Sequence, residues 1–182
     1  ARNRLSSSQH NIKLAYDLRH KSHHFEAGIG FRHETINEHT REWEYRDSSG
    51  YSMPHNPEKL EVIYNLKSKN DISSNHFEMY VQDTWRHETN RGIINLNYGI
   101  RLSNWSWNNE WLISPRASVA YIPKKHDNML FRLATGLYYQ RPFYKELRDT
   151  ISHGATTIVE LNKDIQSQRS FQVIAAYEYR FK

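Results

Sequence analysis

The sequence contains no cysteine and no long apolar run. Without cysteine the chain has no disulfide framework, no thiolate nucleophile and no thiolate metal ligand. The longest apolar stretches are Ala117–Ile122, which Ser118 interrupts, and Val173–Tyr177. Both are far shorter than the roughly 18 residues of a membrane helix. Aliphatic residues are few and scattered, which disfavours a conventional globular core. Aromatic residues nevertheless make up 13% of the 182 residues, which argues against disorder.

The chain also has only a small excess of charge of one sign. The chain has 25 Lys and Arg against 20 Asp and Glu, a formal excess of +5. Basic residues alternate with acidic ones, as in Arg41-Glu42, so no continuous basic patch is available for nucleic acid. We therefore expect no nucleic-acid partner.

A period of two residues runs through most of the chain. Seven segments place apolar residues at every second position, and side chains on a strand point alternately to opposite faces. Each segment therefore predicts a β-strand with one apolar side. The first apolar residues of the seven segments are Ile12, Phe25, Phe77, Ile94, Trp111, Phe131 and Phe171.

The predicted strands are long and end in aromatic residues such as Trp105 and Tyr139. Their second face carries Arg, Glu, Gln, Asn and Gly, which suits a water-filled lumen. Strand length and aromatic girdles are typical of an antiparallel transmembrane β-barrel. An antiparallel sandwich with one wet face would produce the same alternation.

The connections between strands alternate in length, which orients the predicted barrel. We expect long loops near Thr35–Asn75 and Gln140–Ser170 on the extracellular side, with short periplasmic turns opposite them and the last strand ending in the periplasm. This gives seven strands, an odd number, so the chain is expected to begin where an extracellular loop of a larger barrel is cut. A short strand near Leu60–Leu66 would make eight. The short turns are predicted at Arg19–His24, His87–Gly92 and Ile122–Asn128, with a tight hairpin at Ser103–Glu110.

Several arginines share the polar face, where they would avoid the cost of facing lipid, roughly 2–4 kcal/mol each at the midplane. They would attract an anionic ligand, dock carboxylates of another domain, or only solvate the lumen. Glycines such as Gly28 and Gly136 on this face are expected to leave lumen space for a ligand. Pro115 predicts either a bulge or a strand that begins near Arg116. The predicted lumen-facing arginines are Arg32, Arg101, Arg116, Arg132 and Arg180.

No catalytic, cofactor or metal site is expected from the sequence. The eleven histidines are dispersed, and no pair stands at helical metal spacing with a third ligand. Serine and histidine are abundant, but no nucleophile and base can be paired from sequence. Candidate ligand contacts lie near the predicted extracellular rim, although an aromatic girdle explains the two tryptophans equally well. These candidates are Trp105, Trp107, Tyr138 and Arg141.

The chain ends in an alternating aromatic strand formed by Tyr177, Tyr179 and Phe181. This ending resembles the C-terminal signal that the barrel-assembly machinery of Gram-negative bacteria recognises. We therefore expect these three residues to act in insertion.

Six segments of the chain together carry a resemblance to a known family. They are, in order, Tyr45–His55, Tyr80–Trp85, Tyr98–Arg101, Ile113–Ser118, Phe131–Leu147 and Gln168–Ser170. In this order they resemble the last third of the barrel of TonB-dependent receptors, in particular the large barrels of Bacteroidetes. The resemblance implies a 22-stranded barrel in the bacterial outer membrane, an N-terminal plug domain and a TonB-binding segment. This chain, residues 1–182, would contain only the C-terminal part of that barrel.

The function implied by the resemblance is TonB-energised uptake of a siderophore, haem, cobalamin, glycan or peptide. The implied partners are the lipid bilayer, the plug, TonB, the barrel-assembly machinery and a surface lipoprotein. Two alternatives stay open on the residues alone. One is a stand-alone small outer-membrane barrel with a structural or adhesive role, and the other is a soluble carrier of lipocalin type.

Overall fold

The computed structural model describes residues 1–46, 61–154 and 156–181. Among these residues no helix is long and apolar enough to cross a membrane. The fold is all-β, as predicted, with one short 3₁₀ helix at Tyr144–Leu147. The strands within the described residues are β1 (Arg2–His20), β2 (His23–Arg46), β3 (Glu61–Glu88), β4 (Gly92–Trp105), β5 (Glu110–Pro123), β6 (Met129–Gln140), β7 (Arg148–His153), β8 (Thr156–Leu161) and β9 (Gln168–Tyr179).

The chain divides into two compact units, and β1, β2 and β3 contribute residues to both. We call them the sheet unit and the loop unit. The sheet unit comprises His10–His33, Asn75–Arg141 and Gln166–Lys182. The loop unit comprises Ala1–Gln9, Glu34–Ser74 and Pro142–Ile165.

The sheet unit contains the seven predicted strands in the order β1-β2-β3-β4-β5-β6-β9. Antiparallel ladders join β3 to β4, β4 to β5, β5 to β6 and β6 to β9. The turns are shorter than the predicted ranges but fall within them. For example, β1 and β2 are joined only by Lys21 and Ser22, and Lys21 has a positive φ of 53°.

The register separates an apolar face from a polar face. Residues that lie directly opposite each other across a ladder share a face, and Leu96 pairs with Val119, which in turn pairs with Leu133. On the other face Gly99 pairs with Arg116. The register places residues of the predicted apolar phase from β4, β5, β6 and β9 on one face. Six of them are Leu96, Ile100, Leu133, Leu137, Val173 and Tyr177.

The apolar face is exposed rather than packed in a core. Leu133 retains 49% and Val173 62% of its accessible surface. An exposed apolar surface of this extent marks an interaction with lipid or protein. Asp83 is a polar exception on this face, where its Oδ2 lies 2.6 Å from Nδ1 of His23 and accepts a 2.9 Å hydrogen bond from the Tyr98 hydroxyl.

The prediction of a loop at Thr35–Asn75 is wrong, because most of its described residues belong to β-strands. β2 continues to Arg46 and β3 begins at Glu61. The proposed eighth strand near Leu60–Leu66 is not separate, since residues 61–66 are the start of β3 and Leu60 lies outside the described residues. The strands were missed because their outer face is polar here and the inner face of β3 mixes polar residues with apolar ones such as Leu66 and Ile72, so strict hydrophobic alternation disappears.

The predicted loop Gln140–Ser170 is also structured, with the 3₁₀ helix followed by the β7–β8 hairpin. β8 pairs in parallel with β3 between Asn65↔Thr156 and Lys67↔Ile158. The two long connections therefore lie together in the loop unit, as predicted. This short parallel pair, between strands that are not neighbours in sequence, departs from the purely antiparallel sheet that was predicted.

A buried carboxylate organises the loop unit. Glu38 of β2 is 7% exposed and accepts hydrogen bonds from the Ser68 hydroxyl at 3.0 Å and from the Tyr144 hydroxyl. Nη1 of Arg148 lies 3.2 Å from Oε1 of the same carboxylate. These contacts join β2, β3, the 3₁₀ helix and β7, and a paired, hydrogen-bonded charge is the form in which a buried carboxylate is tolerated.

The pKa values of this cluster reflect the same contacts. Burial alone would raise the pKa of Glu38, but hydrogen bonds from Tyr144 and Ser68 and the positive charge of Arg148 outweigh it and hold the pKa below its usual value. Burial, together with the hydrogen bond to Glu38, raises the pKa of the Tyr144 hydroxyl. Glu38 is therefore ionised and Tyr144 is neutral at neutral pH.

Pro115 marks neither a bulge nor the start of a strand. It lies inside β5 and pairs with Ile100 in an unbroken register. The ladder between β5 and β6 begins only at Arg116. The missing N–H of Pro115 therefore removes no hydrogen bond from that ladder.

Candidate ligand-binding site on the polar face

Four of the five arginines predicted to face the lumen have a neighbouring side chain on the same face. Nη1 of Arg101 lies 3.9 Å from Oε2 of Glu78, and the Arg116 guanidinium lies 4.6 Å from the centroid of the Tyr138 ring. Such a cation–π contact is favourable by about 0.5–1 kcal/mol when exposed. These partners fix the guanidinium groups on the polar face.

Two further arginines of the set also have such a neighbour. Nη1 of Arg132 lies 3.4 Å from Oε1 of Glu178, and Nε of Arg32 donates a 3.0 Å hydrogen bond to Oδ1 of Asn11. Arg180 is exposed. The polar face is thus a mixed surface of paired charges rather than a uniformly basic one.

Gly28 and Gly136 accommodate tyrosine rings of the chain itself, which corrects the expectation that these two glycines leave open lumen space. A Cβ at Gly28 would collide with the ring of Tyr80, and a Cβ at Gly136 would lie 2.9 Å from Cε2 of Tyr138. Tyr138 is therefore held between Gly136 and Arg116.

A cavity of about 70 Å³ brings together basic residues of β1, β2 and the end of β6. Lys13, Arg32 and Arg141 supply three cationic groups, and Glu78 supplies one carboxylate. Arg141 donates one hydrogen bond to Nδ1 of His76 and another of 3.3 Å to the carbonyl oxygen of Asn104. The residues lining this cavity are Asn11, Lys13, Gly30, Phe31, Arg32, His76, Glu78 and Arg141.

Trp105 lies beside this group but is buried, with 5% of its surface exposed. Its ring stacks on His76 at a centroid distance of 5.7 Å and an angle of 14°. Its Nε1 is buried without a hydrogen-bond partner among the described residues. A buried unpaired donor is costly, and ligand or water commonly satisfies one.

Two of the four predicted ligand contacts, Trp105 and Arg141, therefore meet at His76. Tyr138 lies elsewhere, against Arg116, and Trp107 is half-buried in the turn between β4 and β5. His76 was not predicted as a site residue, although it shares the polar phase of Glu78. It pairs with Trp105 across the β3–β4 ladder.

A second cavity of about 320 Å³ lies along β3, β4 and β5. Its charged lining is Arg101 and Arg116, and Gln82, Asn97 and Ser114 add hydrogen-bonding groups. Its polar lining suits a hydrophilic ligand or another protein surface.

One group of side chains on the polar face has the composition of a metal site. Asp17 of β1 with His24 and Glu26 of β2 each offer a ligand atom, and these atoms lie within 4.8 Å of one another. The group was not predicted from the sequence because the histidines were compared only with helical metal spacing. Strand residues two apart also share a face.

The predicted insertion residues are exposed at the end of the chain. The rings of Tyr179 and Phe181 meet edge to face at 4.9 Å, and Tyr177 lies 5.1 Å from Phe131 of β6. Phe181 retains 89% of its accessible surface. The three side chains are thus free to contact another surface.

The family model described as TonB dependent receptor-like, beta-barrel, matches residues 1–182. No curated protein and no solved structure matches the chain.

Proposed function

The chain belongs to the β-barrel family of TonB-dependent receptors, and from that premise we propose that it forms the C-terminal part of the barrel of a TonB-energised nutrient receptor. The family consists of outer-membrane receptors and transporters, not enzymes. The observation that carries the proposal is the two-faced sheet, with an exposed apolar face and a charged face that holds the cavities. The Bacteroidetes type stays a prediction.

The rest of the barrel would pair with the two end strands of the sheet order. β1 and β9 occupy these ends, and each presents unpaired backbone groups that lipid cannot satisfy. In a 22-stranded barrel further strands would complete both ladders. The plug domain and the TonB-binding segment would belong to the N-terminal part of the receptor, and a surface lipoprotein is a further proposed partner.

The proposed ligand contact is the cavity around Arg32 and Arg141. Its three cations and one carboxylate favour an anionic group, and the unpaired Nε1 of Trp105 is available as a donor nearby. Haem, peptides and carboxylate-type siderophores carry carboxylates, and cobalamin carries a phosphate. These groups fit the chemistry of the cavity, and acidic glycans do so as well. A guanidinium binds such groups through two parallel hydrogen bonds.

The soluble-carrier alternative requires the apolar face to line a pocket. The cavities described above are instead lined largely by polar-face residues, and apolar side chains such as Ile12 (73% exposed) would face water. The geometry therefore favours the membrane receptor.

Calorimetry on the purified intact receptor tests the ligand contact, with citrate and inorganic phosphate as anionic probes. We expect Arg141→Ala and Arg32→Ala each to weaken citrate binding about tenfold, since a charge-assisted hydrogen bond contributes roughly 1.5–3 kcal/mol. Arg132→Ala is the matched control, because that arginine is paired with Glu178 outside the cavity. Equal binding by Arg141→Ala and the control would reject the assignment.

We also propose that Tyr177, Tyr179 and Phe181 form the signal for the barrel-assembly machinery. Phe181→Ala should lower the amount of receptor in the outer membrane, because recognition during insertion fails. Phe131→Ala in the apolar face is the control, and it should lower stability by up to about 3–5 kcal/mol without preventing insertion. Quantitative blots of outer-membrane fractions compare the two, and equal abundance would contradict the proposed signal.

A further inference from the structure

We propose that Asp17, His24 and Glu26 bind a divalent transition-metal ion on the polar face, next to the β1–β2 turn. An imidazole nitrogen and two carboxylate oxygens lie within 4.8 Å of one another. The group is separate from the cavity around Arg141, so the inference does not depend on the proposed ligand contact.

The backbone directs the three side chains to the same place. His24 and Glu26 are two residues apart on β2 and therefore share a face. Asp17 has the opposite phase to the apolar residues Tyr16 and Leu18, so it also belongs to the polar face. The two-residue turn at Lys21 and Ser22 brings β1 and β2 side by side at this point.

One of the two carboxylates of the group, Glu26, has no cationic partner in the part of the protein that the structure describes. Among the described residues no Lys or Arg lies within ion-pair distance of Glu26, which is half-buried. Asp17 has Arg19 at 4.0 Å, with the guanidinium largely exposed, and contacts His24. Two neighbouring carboxylates repel each other, and a divalent cation between them removes that repulsion.

Glu26 is also oriented by a neighbouring strand. Nε2 of Gln82 on β3 donates a hydrogen bond to Oε2 of Glu26. Metal-binding carboxylates commonly have such a partner, which fixes the direction of the lone pair aimed at the ion. Three strands therefore contribute to one coordination site.

The donor set selects the class of ion. Ca²⁺ and Mg²⁺ favour all-oxygen coordination, whereas one imidazole with two carboxylates suits Zn²⁺ and related ions. Zn²⁺ would bind at about 2.0–2.2 Å to each ligand and would keep a fourth position for water. Bound there, the ion would tie β1, an end strand of the sheet order, to β2.

Calorimetric titration of the chelator-stripped intact receptor with ZnCl₂ and MgCl₂ tests the site. We expect one Zn²⁺ per chain in the micromolar range and no Mg²⁺ binding. His24→Ala and Glu26→Gln should each weaken Zn²⁺ binding at least tenfold. His126→Ala is the matched control, because His126 is an exposed histidine in another turn.

Heat-dependent gel migration shows whether each variant is folded. If a variant fails to fold, a second measurement on the wild-type receptor tests the site. Bound Co²⁺ should give the wild-type receptor a visible absorption spectrum. Zn²⁺ should displace the Co²⁺ and abolish this spectrum, whereas excess Mg²⁺ should not. If His24→Ala binds Zn²⁺ as the wild type does, or His126→Ala loses as much affinity, the protein holds an adventitious ion only and the proposal is wrong. Mg²⁺ binding of similar strength would also overturn it.

Discussion

The two units use the same strand in opposite ways. In the sheet unit the odd-numbered positions of β3 carry Phe77, Met79 and Val81, whereas in the loop unit the same phase of the same strand carries Lys67 and Lys69. These residues are exposed in both units. An exposed surface that changes from charged to apolar along one strand indicates a change of solvent, from water to hydrocarbon.

The other long strands change at corresponding points. On β2 the apolar phase includes Ile29 and Phe31 and continues in the loop unit with Asn37 and His39. The compact units divide after Gln9, His33 and Ser74, close to each change. Polarity and packing therefore define the same boundary, which we interpret as the membrane surface.

The units also differ in what they bury. The loop unit encloses the Glu38 cluster together with apolar residues such as Leu66, Leu147 and Val159. The sheet unit exposes many of its large apolar side chains, such as Ile12 and Leu133, and buries Trp105 and Leu112. Stability in the loop unit therefore depends on polar contacts that can be removed one at a time.

Glu38→Ala should produce the largest effect of the changes considered for the two units. It leaves the Arg148 charge and the Tyr144 hydroxyl without their acceptor, and breaking a buried pair costs about 3–5 kcal/mol. Hydrogen exchange should accelerate in β7 and the 3₁₀ helix while β4 and β5 remain protected. Glu160→Ala, an exposed carboxylate of β8, is the control, and equal protection in both variants would contradict the role of Glu38.

Leu133→Arg should have the next largest effect, because it places a charge on the apolar face. The expected loss of stability is about 2–4 kcal/mol near the bilayer midplane. Ser73→Arg, on the exposed face of β3 in the loop unit, should change stability by less than about 0.5 kcal/mol. Chemical unfolding in lipid vesicles measures both variants, and similar losses would remove the distinction between the two surfaces.

Acid should loosen the loop unit before the sheet unit. The pKa of Glu38 is lowered in the folded state, so its ionised contacts stabilise the fold above the unfolded-state pKa of about 4.3. That stabilisation is lost as the pH falls through the folded-state pKa. Limited proteolysis from pH 7 to pH 3 should show increasing cleavage within 142–165, whereas Glu38→Gln should show little dependence on pH.

Gly136→Ala should give the smallest effect, about 1–2 kcal/mol, because the added methyl group displaces the Tyr138 ring from Arg116. In a Tyr138→Ala background the same change should cost much less. A double-mutant cycle on thermal unfolding measures the coupling, and additive losses would show that the ring and the glycine are independent.

The seven strands and their turns could be predicted because lipid on one side imposes strict hydrophobic alternation. The continuations of β2 and β3 and the β7–β8 hairpin could not be predicted, because water on the outer face and an interior that mixes polar and apolar side chains leave no such pattern. The meeting of Arg141, His76 and Trp105 depends on strand register and on the path of the chain after β6, which no local pattern specifies. Asp17 and His24 likewise become neighbours only through the two-residue turn.

Site-directed spin labelling along β3 tests the assigned membrane boundary most directly. The sequence has no cysteine, so a single cysteine at Lys67, Lys69, Phe77, Met79 or Val81 carries the only nitroxide. In lipid vesicles, labels at 77, 79 and 81 should be relaxed mainly by dissolved oxygen, and those at 67 and 69 mainly by an aqueous nickel complex. Aqueous relaxation at all five positions would contradict the assignment of this face to lipid.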